Sequence, residues 1–393
     1  NDYDAKTDSY GLMNTEEARN QYLQEAEFRN TNWFDLLFNN SISQNHAISF
    51  STGTEKASYY TSLSIMNDPG WTKKSEVKRY TANVNALYHI SKALSLNLIS
   101  NASYRKQKAP GTLSSSVDPV SGEVKRDFDI NPYSYALNTS RTLDPDAYYV
   151  RNYAPFNILH ELDNNYIDLN VTDLKFQGEL KWKPIHKIEL SALGAYKTSM
   201  TTQSHTIKDY SNQAWAFRAM DDATMRQANP WLYTDPENAN TLPVSVLPVG
   251  GFYRETKYSM DSYDFRGTAS YNDVYNENHI FNFFGGMEIN AVNRQRTWFN
   301  GVGMQYEMGM LPAYEYQYFK QGSEENAQYY TVERTRQREV SFFGTATYSY
   351  QGKYTLNGTL RYEGSNKLGK SRSARWLPTW NLSAAWNAHA EKF

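Results

Sequence analysis

The run RYTANVNALYHISKALSLNLISNASY, from Arg79 to Tyr104, decides the fold. Tyr80, Ala82, Val84, Ala86, Tyr88 and Ile90 alternate with Arg79, Thr81, Asn83, Asn85 and His89. After three intervening residues, Leu94, Leu96, Leu98, Ala102 and Tyr104 alternate with Ser95, Asn97, Asn101 and Ser103. A period of two with one apolar and one polar side is the pattern of a strand that buries one face, and two such runs about a short turn make an antiparallel hairpin. Tyr80 to Ile90 spans eleven residues, about 36 Å at ~3.3 Å each, and a tilt of ~45° reduces this to roughly 25 Å, the height of the apolar band of a membrane barrel. The hairpin is long enough to cross a bilayer.

Composition agrees with such a wall. Among 393 residues there are 32 tyrosines and 15% aromatics, yet the mean hydropathy is −0.73. Apolar residues on one face, diluted by polar residues on the other and by wet loops, give that combination. No stretch approaches the ~18 apolar residues of a spanning helix; the best, Leu242 to Tyr253, carries Pro243 and Pro248. A helical membrane protein is excluded. The formal charge of −2 gives no electrostatic reason to expect nucleic acid as a partner. The absence of cysteine removes disulfides, thiolate catalysis and cysteine metal sites. Asn1 opens the chain without an initiator Met or a leader-like segment, so any leader lies outside it.

Near the start, Asn14 and Glu17 resemble a capping box, and Ala18, Tyr22 and Ala26 recur at helical spacing, which predicts a helix over Thr15 to Phe28. A second helical turn is expected over Trp33 to Phe38. From His46 the period becomes two, with strands predicted at 46–53, 58–66, 78–90, 94–106, 169–182, 187–200, 258–271, 279–291, 337–350, 354–363 and 377–386. The apolar side persists in Leu174, Phe176, Leu180 and Trp182, in Tyr263, Phe265, Ala269 and Tyr271, in Phe281, Phe283, Met287 and Ile289, and in Val340, Phe342, Ala346 and Tyr348. Tyr80, Tyr88, Trp182, Tyr196, Tyr271, Tyr350 and Trp386 lie toward strand ends, as interfacial girdles would. The inner faces of a large soluble sandwich would show the same alternation, and that alternative stays open at this point.

Connection lengths separate the two ends. Thr54 to Ala57, Ser91 to Ala93, Lys183 to His186, Asn272 to Asn278 and Gln351 to Lys353 are short, whereas 107–168, 201–257 and 292–336 far exceed the usual ~12–15 residues. In antiparallel strands the long ones emerge opposite the short ones, the asymmetry of periplasmic turns and extracellular loops. The expected organisation is all-β: 1–44 as an extracellular loop with short helices, then 45–393 as a partial transmembrane antiparallel β-barrel of about eleven strands with three long loops. An odd strand count with two unpaired edges implies further strands upstream and downstream.

Two segments carry a family resemblance. NTNWFDLLFNNSISQNHAISFSTGTEKASYYTSLSIMNDPGW, Asn30 to Trp71, resembles the opening of the barrel in SusC-like, TonB-dependent outer-membrane transporters of the Bacteroidetes, through Trp33, Asp35, Phe38, Gln44, Asn45, His46, Gly53, Thr54, Glu55, Tyr59 and Tyr60. LRYEGSNKLGKSRSARWLPTWNLSAAW, Leu360 to Trp386, is similar to the family's Arg-x-Asp-Gly-Ser-Ser-Arg-Phe-Gly turn and following strand, with Glu363, Asn366, Lys367, Leu368 and Thr379 as departures. Gly364, Ser365 and Gly369 keep the turn elements. The resemblance implies a 22-stranded barrel around a plug, of which this chain supplies about half. It further implies TonB, acting through a region outside this chain, a SusD-like lipoprotein as partner, and active import of an oligosaccharide or oligopeptide. Alternatives are a TonB-dependent siderophore or cobalamin receptor, and a secreted glycan-binding or adhesive β-protein.

Nothing in the sequence reads as catalytic. The histidines at 46, 89, 160, 186, 205, 279 and 389 form no His-x-x-x-His pair, and the pairs Asp127/Asp129 and Asp221/Asp222 lack a calcium-loop pattern. No enzyme activity, metal or cofactor is expected. Recognition belongs to the loops, where three clusters qualify: Trp215, Phe217 and Arg218 beside Asp221 and Asp222; Trp231 and Tyr233; and Tyr314, Tyr316 and Tyr318. Aromatic faces beside amides and carboxylates suit a sugar ring or a peptide, and the same rings can instead pack long loops together. Arg79, Asn83, Asn85 and Lys175 are expected to line a polar lumen.

Overall fold

A computed structural model of the chain describes residues 3–4, 9–10, 15–111, 116–117, 124–125, 128–238, 240–369, 371 and 373–391. Eleven long strands follow one another in an antiparallel sheet in chain order. They are β1 Gln44–Gly53, β2 Ala57–Asp68, β3 Glu76–His89, β4 Leu94–Pro110, β5 Asn165–Ile185 and β6 Ile188–Ile207. The remainder are β7 Gly251–Tyr275, β8 His279–Gln305, β9 Tyr330–Tyr350, β10 Tyr354–Ser365 and β11 Trp376–Trp386. Leu311–Pro312 adds a short strand against β8. Among the described residues β1 pairs only with β2 and β11 only with β10, so the sheet is an open wall, a partial barrel.

Register places the alternating residues of every strand on one common face. Leu63, Ala82, Ala102 and Leu174 are successive cross-strand neighbours, as are Ala192, Gly267, Met287, Phe342 and Tyr362. Phe176 is 53% exposed, Tyr263 52% and Leu360 56%, so no second sheet covers this face among the described residues. Each such side chain left in water forgoes about 1 kcal/mol of transfer free energy, and hydrocarbon removes that cost. The polar face is cross-linked instead: Asn101 Nδ2 donates to Asn83 Oδ1 at 2.8 Å and Asn83 Nδ2 donates to Ser62 Oγ at 3.1 Å.

At the short-turn end the backbone turns tightly. Asn276 and Glu277 both take positive φ (49° and 58°), as do Gln351 (52°) and Gly352 (67°), the left-handed pairs that match hairpin twist. Aromatics collect just above: Phe281 lies 5.1 Å from Tyr348, and Tyr271 stacks on Phe283 at 6.2 Å.

The opposite end corrects the expected loop limits. The loops predicted at 107–168, 201–257 and 292–336 begin and end within strands, because β4 runs to Pro110, β6 to Ile207, β7 starts at Gly251, β8 runs to Gln305 and β9 starts at Tyr330. The 27 residues of β8 extend about 90 Å, well over twice what the apolar band needs at this tilt. Beyond the band both faces meet water, so period-two hydropathy vanishes while the backbone ladder continues. Helices also occupy these connections, unforeseen by the alternation: α3 Pro132–Asn138, α4 Ile158–Asn164, α5 Asn212–Ala216, α6 Ala223–Ala228 and α7 Tyr316–Glu324. The two N-terminal helices are α1 Glu16–Phe28 and α2 Trp33–Leu37. Thr15 caps α1 by accepting the Ala18 N–H at 3.2 Å; the expected cap, Asn14, lies outside the described residues.

Candidate functional site

The buried core of this chain sits in its long connections. Trp33 and Leu37 of α2 pack with Ile130, Phe156, Ile158 and Leu162 from the β4–β5 connection. Trp33 Nε1 donates to the Ser140 carbonyl at 3.0 Å, and Thr31 bonds the same connection through its N–H to Arg141 O (2.8 Å) and its hydroxyl to Leu143 O (2.8 Å). The N-terminal segment is thereby fastened to the first long connection.

The second connection, between β6 and β7, is fastened to the first by two buried side chains. Glu161 of α4 accepts the Asn212 N–H at 2.7 Å, and Asn212 Nδ2 donates to the carbonyls of Arg151 (2.7 Å), Pro155 (3.0 Å) and Ala154 (3.1 Å). The third connection joins through Tyr233, whose hydroxyl donates to Glu324 at 2.7 Å, and through Lys320, which donates to Asp235 at 2.6 Å. Burial and the Glu324 bond push the Tyr233 phenol up to about 12. The Lys320 bond holds Asp235 below the usual carboxylate range, while the Asp235 bond raises Lys320. The three connections form one tied layer over the end of the wall.

Within this layer the sequence candidates separate. Phe217 stacks on Trp231 at 5.5 Å and meets Phe252 edge-on at 5.0 Å, so both rings pack the layer. Arg218 clamps it: Nε donates to Ala214 O at 3.0 Å and Nη2 to Gly250 O at 2.9 Å and to Asp209 O, with burial lowering its pKa. Asp222 caps α6 by accepting the Met225 N–H at 2.7 Å, while Asp221 is exposed. Tyr318 is half-buried and accepts from Asn300 Nδ2 at 3.0 Å. Tyr314 and Tyr316, 81% and 72% exposed, stand free on the surface.

Trp215 belongs to a group that linear reading missed. His160 stacks on it at 5.8 Å with 6° between planes, Tyr210 lies at 6.0 Å and Tyr148 at 6.4 Å. Tyr148 and Tyr210 are exposed, so four rings from two connections offer a partly open aromatic platform. Each of the three missed rings sits in an unremarkable sequence context, and no local signal marks them. Asp127 of the carboxylate pair Asp127/Asp129 lies outside the described residues.

An antiparallel wall with one bare apolar face, short turns at one end and a layered set of connections at the other is part of a transmembrane β-barrel, and its place is the bacterial outer membrane. No protein-family model matches the chain. A TonB-dependent receptor of Formosa agariphila is 22% identical over 369 residues, covering 94% of this chain and 32% of its own length. The TonB-dependent receptor SusC of Bacteroides thetaiotaomicron is 22% identical over 376 residues, covering 93% and 33%. The RagAB peptide importer in its closed-closed state superposes with a TM-score of 0.64 at 18% identity, over 100% of this chain and 38% of that one. The likeness is thus to the SusC-like transporters and runs along nearly the whole chain, which spans about a third of the length of the curated relatives it matches.

Proposed function

We propose that this chain forms part of a TonB-dependent importer that carries an oligosaccharide or oligopeptide across the outer membrane with a SusD-like surface lipoprotein as its lid. No bond is broken in this reading: the layer of connections captures cargo, and TonB, acting on a region outside this chain, supplies the energy. The long-connection end faces the cell exterior, with 1–44 and the three connections forming the capture surface. The carrying observation is the rigid layer of tied connections on a wall whose apolar face lies bare, because recognition on such a scaffold falls to its loops. The likeness to RagAB, a peptide importer, supports the oligopeptide reading. The Trp215 platform with Tyr148, His160 and Tyr210, together with Tyr314 and Tyr316, would contact cargo, since ring faces accept either the C–H face of a sugar or a peptide side chain.

The test is uptake of fluorescent oligopeptide and oligosaccharide libraries by cells carrying the complete transporter, with and without TonB. At least tenfold loss of uptake of one class without TonB is expected. Uptake of neither class, or uptake indifferent to TonB, overturns the proposal.

A further inference from the structure

The apolar face of β9 changes chemistry abruptly. Its successive residues read Tyr350, Tyr348, Ala346, Gly344, Phe342 and Val340, and then Arg338, Arg336 and Arg334. From Tyr350 to Val340 the strand rises about 33 Å, or roughly 23 Å after a ~45° tilt, which is one apolar band. Arg338 is therefore the first side chain on this face beyond hydrocarbon, with Arg334 about 9 Å higher.

The three arginines are exposed, and neutral groups brace Arg334 and Arg338. Arg334 Nε donates to Gln295 Oε1 at 3.1 Å, Arg338 Nη2 to Asn293 Oδ1 at 2.6 Å, and Arg338 Nη1 to Val292 O at 3.0 Å. Among the described residues none of the three forms an ion pair, whereas Arg296 on the polar face pairs with Glu333 at 3.0 Å. With Ser259, Asp261, Asn293, Arg294, Gln295 and Thr335 they border a polar hollow of about 380 Å³. Asp261, the acid at its rim, accepts the Tyr196 hydroxyl at 2.8 Å.

A second, independent feature lies lower on the same face, separated from the arginines on β9 by Val340. An apolar groove of about 1000 Å³ runs across β6 to β11, and its lining includes the small residues Ala269, Gly285, Gly344 and Gly358 with Phe283 and Trp380. Cationic forks above an apolar groove at the edge of hydrocarbon match an amphiphile with phosphate above and acyl chains below. Arg binds phosphate through parallel N–H donors, and its weak hydration suits an interfacial site.

We propose that Arg334, Arg336 and Arg338 bind the phosphate groups of an outer-leaflet lipid whose acyl chains occupy the groove beneath. The lipid would anchor the wall at a fixed depth. This inference rests on the membrane orientation of the wall and not on the cargo, so failure of the import assay leaves it standing.

The complete transporter, purified in mild detergent, is assayed for co-purifying phosphorylated lipid by mass spectrometry and for binding of lipid A micelles and of inorganic phosphate alone. The triple variant Arg334→Gln/Arg336→Gln/Arg338→Gln should retain at least fivefold less lipid. Gly344→Leu, whose added Cβ meets only Phe284 O at 3.8 Å, should lower retention by filling the groove. Arg296→Gln, on the polar face and outside the lining of both the hollow and the groove, should leave retention unchanged. Equal retention by the triple variant, loss that follows Arg296→Gln instead, or inorganic phosphate binding as tightly as lipid A overturns the proposal. Heat-modified migration on gels verifies that each variant is folded.

Discussion

The Glu161 carboxylate, buried in α4, accepts the backbone N–H of Asn212 at the start of α5 at 2.7 Å, across a sequence separation of 51 residues. With the Asn212 side-chain bonds, it joins two connections that emerge side by side where Asn165 of β5 pairs with Ile207 of β6. Leaving the Asn212 N–H buried without an acceptor should cost about 1–3 kcal/mol. Glu161→Leu is therefore expected to raise amide exchange across residues 149–164 and 209–217 while the strand ladder stays protected. Glu161→Gln, which keeps an acceptor oxygen, should cost less than half as much. Hydrogen exchange by mass spectrometry on the complete transporter reads both.

The aromatic candidates should divide by exposure. Tyr314→Ala and Tyr316→Ala remove rings that pack on little, so they should weaken cargo binding several-fold, on the order of 1 kcal/mol per ring, without altering loop protection. Phe217→Ala and Trp231→Ala should act the other way and loosen the layer by about 3 kcal/mol, the cost of truncating a packed aromatic. Calorimetric binding alongside exchange separates the two classes.

Adjacent residues on β8 test which face meets lipid. Met287 lies on the apolar face near mid-band, and Glu288 lies on the polar face, paired with Arg266 at 3.0 Å. Met287→Arg should destabilise the inserted barrel by about 2–4 kcal/mol, the midplane cost of a cation facing lipid. Glu288→Gln, on the water-facing side, should cost less than ~1 kcal/mol. Reversible unfolding from lipid vesicles supplies the comparison.

Acid should part the second and third connections before it opens the wall. Asp235 is held below its ordinary 3.8 by the Lys320 bond, so its contribution is complete above that value and is lost as pH falls through the lower folded one. Lys320 is raised above its ordinary 10.5, so its contribution is complete below 10.5 and disappears as pH rises through the higher folded value. Exchange of the Tyr233 and Val244 amides, which bond each other's carbonyls, should be flat across neutral pH apart from the intrinsic rate and should rise in strong acid. Lys320→Met should abolish the acid step.

The sequence by itself determined the wall. Tyr80 to Tyr104, and every later alternating run, has a register in which one-residue slips would carry all apolar side chains to the wrong face, so periodicity alone places each strand and its turn. It could not show where strands end above the membrane, because from Asn293 to Gln305 and from Tyr330 to Gln337 water lies on both sides and no hydropathy contrast survives. Nor could it show the layer of connections. The Trp215 platform, the Arg218 clamp and the Glu161–Asn212 bond unite residues far apart in sequence, through contacts with no period. Only the tertiary fold decided which aromatics pack and which remain open, because loop burial depends on what neighbouring connections bring to the same place.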